Sequence, residues 1–202
     1  MILDPQAVSS GRFYHFMTSV IVPRPFAFFT TVNAAGRVNA APFSFFCGIG
    51  SAPPLLGLSL NLRAGEPKDT LRNLRETSEF VVNVVTEAMA GQIVRASGDW
   101  PAEVDELALA GFTPLPAERV RPPRVAESPV HLECRLAREV PLGETVFVVG
   151  EILLGHVKDE MLVEGRVDAT KLAPLARLGG DQYARLGEVL RFTRPRVERN
   201  TG

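Results

Sequence analysis

With 202 residues, 46% of them hydrophobic and 22% charged, the chain has the size and composition of one soluble globular domain spanning 1–202. A formal net charge of -1 supplies no excess attraction for a phosphate backbone, so a nucleic-acid partner is not expected. Met1–Ser10 has neither the basic n-region nor the apolar run of a signal peptide, and no apolar run approaches the ~20 residues of a membrane span. A cytoplasmic protein with no membrane partner is therefore expected.

From Pro25 to Ala34 the residues are aromatic, β-branched or threonine, and Asn33-Ala34-Ala35-Gly36 is a turn before a second such run from Arg37 to Cys47. This pattern predicts an antiparallel hairpin, with the pairing broken at Ser51-Ala52-Pro53-Pro54. Leu56, Leu58, Leu60 and Leu62 then alternate with smaller or polar residues, predicting a third strand with Ser59 and Asn61 on its other face. Leu71 and Leu74 at helical spacing predict a short amphipathic helix over Lys68–Ser78, followed by a strand over Phe80–Thr86. A second helix over Glu87–Ser97 is predicted with Met89, Ile93 and Val94 on one side. The proline-rich stretch Gly98–Pro129 reads as a short helix and irregular chain. Val130–Val140 and Thr145–His156 are predicted strands joined by Pro141-Leu142-Gly143-Glu144. Many strands, proline- and glycine-rich turns and few short helices point to a mostly β barrel.

Cys47 and Cys134 stand far apart without a CxxC partner, so both are expected to be reduced, core-packed thiols, and no metal site is expected. No GxSxG elbow, P-loop or GxGxxG after a strand is present, and His15, His131 and His156 lie apart. Four features could carry ligand chemistry. The stretch Val38-Asn39-Ala40-Ala41-Pro42-Phe43-Ser44-Phe45-Phe46 places a proline and small polar residues in a strand, which implies an edge, a bulge or a bound partner. Lys68-Asp69-Thr70, where a loop enters a helix, is either a phosphate cradle or an ordinary helix start with an exposed lysine. Arg24, between Pro23 and Pro25, is either stiffly aimed at a ligand or a surface arginine. Leu178-Gly179-Gly180 before Tyr183 is either a close approach of backbone to a planar ring or a plain turn.

The ordered series Val22-Pro23-Arg24-Pro25-Phe26-Ala27, Asn39 through Phe46, Pro53-Pro54, Lys68-Asp69-Thr70 with Asn73, and Glu79-Phe80-Val81-Val82-Asn83 resembles the flavin reductase-like, flavoredoxin-type family. The resemblance resumes at Leu132-Glu133-Cys134, Gly150-Glu151-Ile152 with His156, and Pro174-Leu175 through Tyr183. It implies an FMN-binding split β-barrel that forms a homodimer. It places the phosphate on Lys68 and Thr70, and flavin contacts on Thr30, Asn39, Ala41, Pro42, Phe43, Ser44 and Phe45, with Ser59 and Asn61 as additions. Arg24 and Tyr183 match family positions near the ligand, and His156 is a candidate for orienting the nicotinamide, so His156 and Tyr183 are the candidate catalytic residues. The implied reaction passes hydride from NADH or NADPH to flavin N5, FMN being the expected flavin with FAD open, and electrons then pass to oxygen, free flavin or an acceptor protein. A flavoredoxin-like electron carrier and a non-catalytic flavin-binding module are the alternatives.

Overall fold

A computed structural model of the chain describes residues 1–195, so residues 196–202 of the expected domain lie outside the described residues. Helix α1 (Ser10–Val20) begins where Ser9 accepts from the Arg12 N–H. The sequence reading leaves this segment unassigned, although Phe13, Phe16, Met17 and Val20 fall at helical spacing. Strand β1 (Arg24–Pro25) leads into β2 (Ala27–Val32) and β3 (Val38–Phe43), which pair antiparallel from Ala27↔Phe43 to Val32↔Val38. Their turn holds Gly36 at φ +81°, a left-handed conformation that costs glycine no Cβ clash.

The predicted hairpin is present, but its second run stops at Ser44. Phe46–Ser51 is a separate strand, β4, and it pairs with β5 (Pro54–Asn61) around Ala52-Pro53. Ser51-Ala52-Pro53-Pro54 is thus a hairpin turn and not a break in pairing. Cys47, placed on this edge strand, is exposed rather than core-packed, whereas Cys134 is buried and burial pushes its thiol pKa up. On β5 the leucines 56, 58 and 60 are buried while Ser59 and Asn61 face the other way, as the alternation predicts.

Helix α2 (Asp69–Thr77) and strand β6 (Glu79–Val84) fall where the sequence places them. A 3₁₀ turn over Glu87–Met89 precedes α3 (Ala90–Ala96), which buries Met89 and Ile93 but leaves Val94 exposed. Val94 follows Ile93 by about 100° of helical rotation, which turns it off the buried face. Helix α4 (Glu106–Ala110) is the short helix expected within Gly98–Pro129, and the two-residue strands β7 (Pro114–Leu115) and β8 (Arg124–Val125) lie in what reads from sequence as irregular chain. The long strands β9 (Val130–Leu142) and β10 (Thr145–Val157) form the second predicted hairpin. Small elements close the described chain: β11 (Leu162–Val163), β12 (Arg166–Val167), α5 (Ala169–Leu172), β13 (Leu175–Arg177) and β14 (Tyr183–Arg185).

Seven strands make one antiparallel sheet in the order β3-β2-β6-β9-β10-β5-β4. Its two edges, β3 and β4, are consecutive in the chain and separated only by Ser44-Phe45, so the sheet curls into a barrel with an open seam. Phe43 and Phe46, one from each edge, both set their rings against Phe29, at centroid distances of 5.5 and 5.7 Å. The interior is filled by Phe29, Phe80, Val82, Val148 and the β5 leucines, and α2 contributes Leu71 and Leu74 to it. A second core lies on the outer face, where Met89 and Ile93 join Leu107, Phe112 and Val125 over Phe28 and Val85. Proline is tolerated at Pro42 because β3 is an edge: the Ala40 N–H points away from β2, and two residues on Pro42 has no N–H to leave unpaired.

Gly150 sits at a register shift between β10 and β9, and the Phe80 ring occupies the place a Cβ would take. Gly150→Ala is therefore expected to destabilise the barrel by about 1–3 kcal/mol. Urea unfolding measures this, and an unchanged midpoint would show that the ring can yield.

Candidate functional site

Three hollows mark the surface around the seam. The largest, about 450 Å³, is walled by Pro23, Pro25, Phe26, Phe46 and Leu186, and its one buried cation is Arg24. That guanidinium engages four of its five N–H donors. It donates to Thr18 O (2.6 Å), Ile21 O (2.9 Å), Leu178 O (2.7 Å) and Ser44 Oγ (3.3 Å), and it lies 5.6 Å from the Phe45 ring centroid. Arg24 is not a surface arginine: it stitches α1, the β3–β4 link and the β13–β14 hairpin together, thereby positioning Ser44 and Phe45. Its burial lowers the guanidinium pKa from the ordinary arginine value.

The polar cleft, about 250 Å³, runs between β3 and the start of α2 and holds Asn39, Ala41, Pro42, Phe43, Lys68 and Thr70, six of the residues singled out from sequence. Helices α1, α4 and α5 each begin on a serine or aspartate that accepts a first-turn N–H, but α2 begins on Lys68, which has no acceptor to offer. The first-turn donors of α2 thus open into the cleft beside the lysine. Thr70 is buried, and its Oγ1 accepts from Asn39 Nδ2 at 3.0 Å, leaving its O–H free to donate. Asn39 and Asn73 also reach Thr31 Oγ1, at 3.3 and 3.0 Å, so the wall behind Thr70 is a fixed polar network. Arg72 is held by Asp69 and Pro67 O, and Arg63 is paired with Asp99 at the mouth. Among the described residues lining the cleft, Lys68 is the cation without an ion-pair partner.

A third hollow, about 360 Å³, lies at the far end of the same 39–45 segment and gathers Phe45, Ser59 and Asn61 with Tyr14 and Met17 of α1. Asn61 Oδ1 accepts from the Thr145 hydroxyl at 2.9 Å. Four residues named from sequence line none of these hollows, and one of them is Ser44, whose Oγ accepts from Arg24 Nε at 3.3 Å. Thr30 has no exposed surface and its hydroxyl donates to Pro123 O at 2.5 Å, because β2 turns it to the outer-face core. His156 Nε2 donates to the buried Glu133 carboxylate at 2.6 Å on that same outer side. The Tyr183 ring packs against Phe26 and beneath the Arg177 guanidinium, 4.3 Å away, and Leu178-Gly179-Gly180 is the plain turn of its hairpin.

Sequence reasoning misses the opposite wall of the polar cleft, which Glu106 and Trp100 supply from the stretch read as a short helix and irregular chain. Glu106 Oε2 accepts the outward Ala40 N–H at 3.1 Å, and Trp100 Nε1 donates to Arg95 O at 3.0 Å. Asp105-Glu106-Leu107 does carry a helix-start signal, with Asp105 accepting from Leu107 N and Ala108 N. What that signal lacks is any indication that the helix packs on β3. No group of histidine, cysteine or acidic residues suited to a metal occurs among the described residues, and none of their helices is long and apolar enough to cross a membrane.

An antiparallel split barrel with an anion-ready helix start beside its seam is the architecture of a flavoprotein class, and the chain belongs to the flavin reductase like domain family, which it matches over residues 17–175. Three of the proteins to which the chain is similar cover nearly its whole length. Nitrilotriacetate monooxygenase component B from Bacillus cereus superposes with a TM-score of 0.92 at 35% identity, over 95% of this chain and 98% of that one. The 2-nitrobenzoate 2-nitroreductase of Pseudomonas fluorescens superposes with a TM-score of 0.86 at 30% identity over the whole of both chains. An uncharacterised protein of Halalkalibacterium halodurans is 38% identical over 99% of each chain.

Proposed function

We propose that the protein is an NAD(P)H-dependent flavin reductase that takes FMN, with its phosphate in the polar cleft and the seam segment 39–45 along its length. One observation carries the reading: α2 starts on an acceptor-less lysine with the Thr70 hydroxyl and open first-turn amides beside it, a donor set that suits one phosphate. In this reading Lys68 and Thr70 hold the phosphate, Asn39 orients Thr70, and Ala41, Pro42, Phe43 and Ser44 flank the rest. Phe45, Ser59 and Asn61 line the further end. Bound flavin supplies an N5 that accepts hydride from a nicotinamide C4. The protein's own share is orientation and exclusion of water, which fits the engagement of His156 with Glu133 in place of an acid–base role. Membership of the flavin reductase like family and the nitroreductase relative support reduction of a small acceptor. Exposed Val20, Ile21 and Val22 after α1, with Ile49 on β4, support a second copy of the chain as partner.

The test is an absorbance spectrum of protein mixed with FMN and freed of excess, then treated anaerobically with NADH or NADPH. Retained flavin that bleaches within the mixing time is the expected result. Retention without bleaching would replace the reductase by an electron carrier. A protein that neither retains FMN nor accelerates reduction of free FMN by either nucleotide would sink the reading.

A further inference from the structure

Glu106 stands in the polar cleft with no cation bound to it. It is half-buried, Oε2 accepts the Ala40 N–H, and Oε1 takes no hydrogen bond from the described residues. The charged groups around it can be named element by element. Helix α2 presents Lys68, Asp69 and Arg72; the loop before α2 presents Arg63 and Glu66; the chain before α4 presents Asp99; and α4 itself begins after Asp105. Strand β3 adds the Ala40 N–H and no titratable group. Arg63 and Arg72 are taken by Asp99 and Asp69, so Lys68 is left facing two uncommitted carboxyl groups, Glu66 and Glu106. Burial raises the Glu106 pKa most, the Ala40 N–H opposes this, and Asp69 and Asp105 add to the rise.

An ionised carboxylate only accepts, so across a narrow cleft it repels a phosphate; a protonated one has an O–H to donate. We propose that Glu106 is a specificity-determining residue which takes up one proton from solvent when a flavin phosphate enters the cleft, and donates that O–H to a phosphate oxygen. No covalent bond other than the O–H is made or broken. The inference rests on the phosphate assignment made above, and it makes the retention of FMN a function of pH. Above about pH 7 a phosphate monoester is already dianionic, its second pKa being about 6, so a further dependence belongs to the protein.

The experiment is titration of FMN and of riboflavin into wild type and Glu106→Gln at several values between about pH 7 and pH 9. Proton uptake is read from calorimetry in two buffers of different ionisation enthalpy. Wild type is expected to lose FMN affinity with rising pH, by at most about tenfold per unit, the slope of one linked proton. Riboflavin is expected to show no slope. E106Q, whose amide keeps an acceptor for Ala40 and always presents a donor, is expected to bind FMN without a slope and without net proton uptake. An E106Q variant that keeps the wild-type slope, or a wild type with no slope, overturns the role of Glu106 while FMN is still preferred to riboflavin. If FMN and riboflavin bind alike and Lys68→Ala changes neither, the phosphate assignment has failed and this inference falls with it. Thermal unfolding of E106Q verifies that the variants compared are folded.

Discussion

Glu133→Ala is expected to cost the fold about 3–5 kcal/mol, a large part of the stability of a domain this size. The carboxylate has no exposed surface, yet it is fully used: Glu118 N reaches it at 2.9 Å, Arg119 N at 2.5 Å and His156 Nε2 at 2.6 Å. Removing it strands two backbone amides and an imidazole, and it frees the 116–120 segment from the sheet. Burial pushes the Glu133 pKa up, but the Glu118 and Arg119 amides and His156 push harder, and the net direction is down. A depressed carboxyl stabilises the fold above its unfolded value, about 4.3, and that contribution is lost as pH falls through the folded value. Urea unfolding near pH 7 and at successively lower values below about pH 4 should therefore show a wide gap between wild type and variant that narrows in acid. A gap independent of pH would mean that Glu133 acts by shape alone.

Joint replacement of Lys68 and Thr70 by alanine is expected to weaken FMN about 100-fold, each charge-assisted contact being worth about 1.5–3 kcal/mol. The single variants should each lose about tenfold or more. Because the ammonium is exposed, the Lys68 share should shrink with added salt, whereas the share of the buried Thr70 should not. Riboflavin, which lacks the phosphate, is the comparison: its affinity should hardly move. Thr70→Ser retains a hydroxyl for Asn39 and the ligand, and it should bind FMN nearly as wild type does. Equal losses for FMN and riboflavin would show that the two residues support the cleft wall and not a phosphate.

The barrel was readable in the sequence wherever a single face is buried. Leucine alternation in β5 and the Asn33–Gly36 turn have direct periodic or conformational causes. The helix start at Lys68–Thr70 was readable too, because a helix start is a local event, whereas its reading as a phosphate site came from the family resemblance. Thr30 was not, since every residue of β2 is buried and a strand covered on both faces carries no period to say which side a threonine takes. Cys47 was misplaced for a related reason: a run of apolar and small residues does not announce that its strand is an edge. Two flanking prolines made Arg24 stiff but could not say that four acceptors, one of them 154 residues away in sequence, would surround it. Glu106 and Trp100 reach the cleft only through the packing of α3 and α4 on the sheet, a tertiary event with no sequence period of its own.

The cluster of bonds at Arg24 has a consequence for how the molecule comes together and apart. Its bond to Leu178 O joins residues 154 apart in sequence, so the contact is rewarded only after almost the whole chain has been gathered in. Such a clasp closes on the native side of the folding barrier. Weakening it is expected to leave the rate of folding almost untouched and to shorten the lifetime of the folded state, so that one side chain would help set how long the barrel persists against proteolysis and heat.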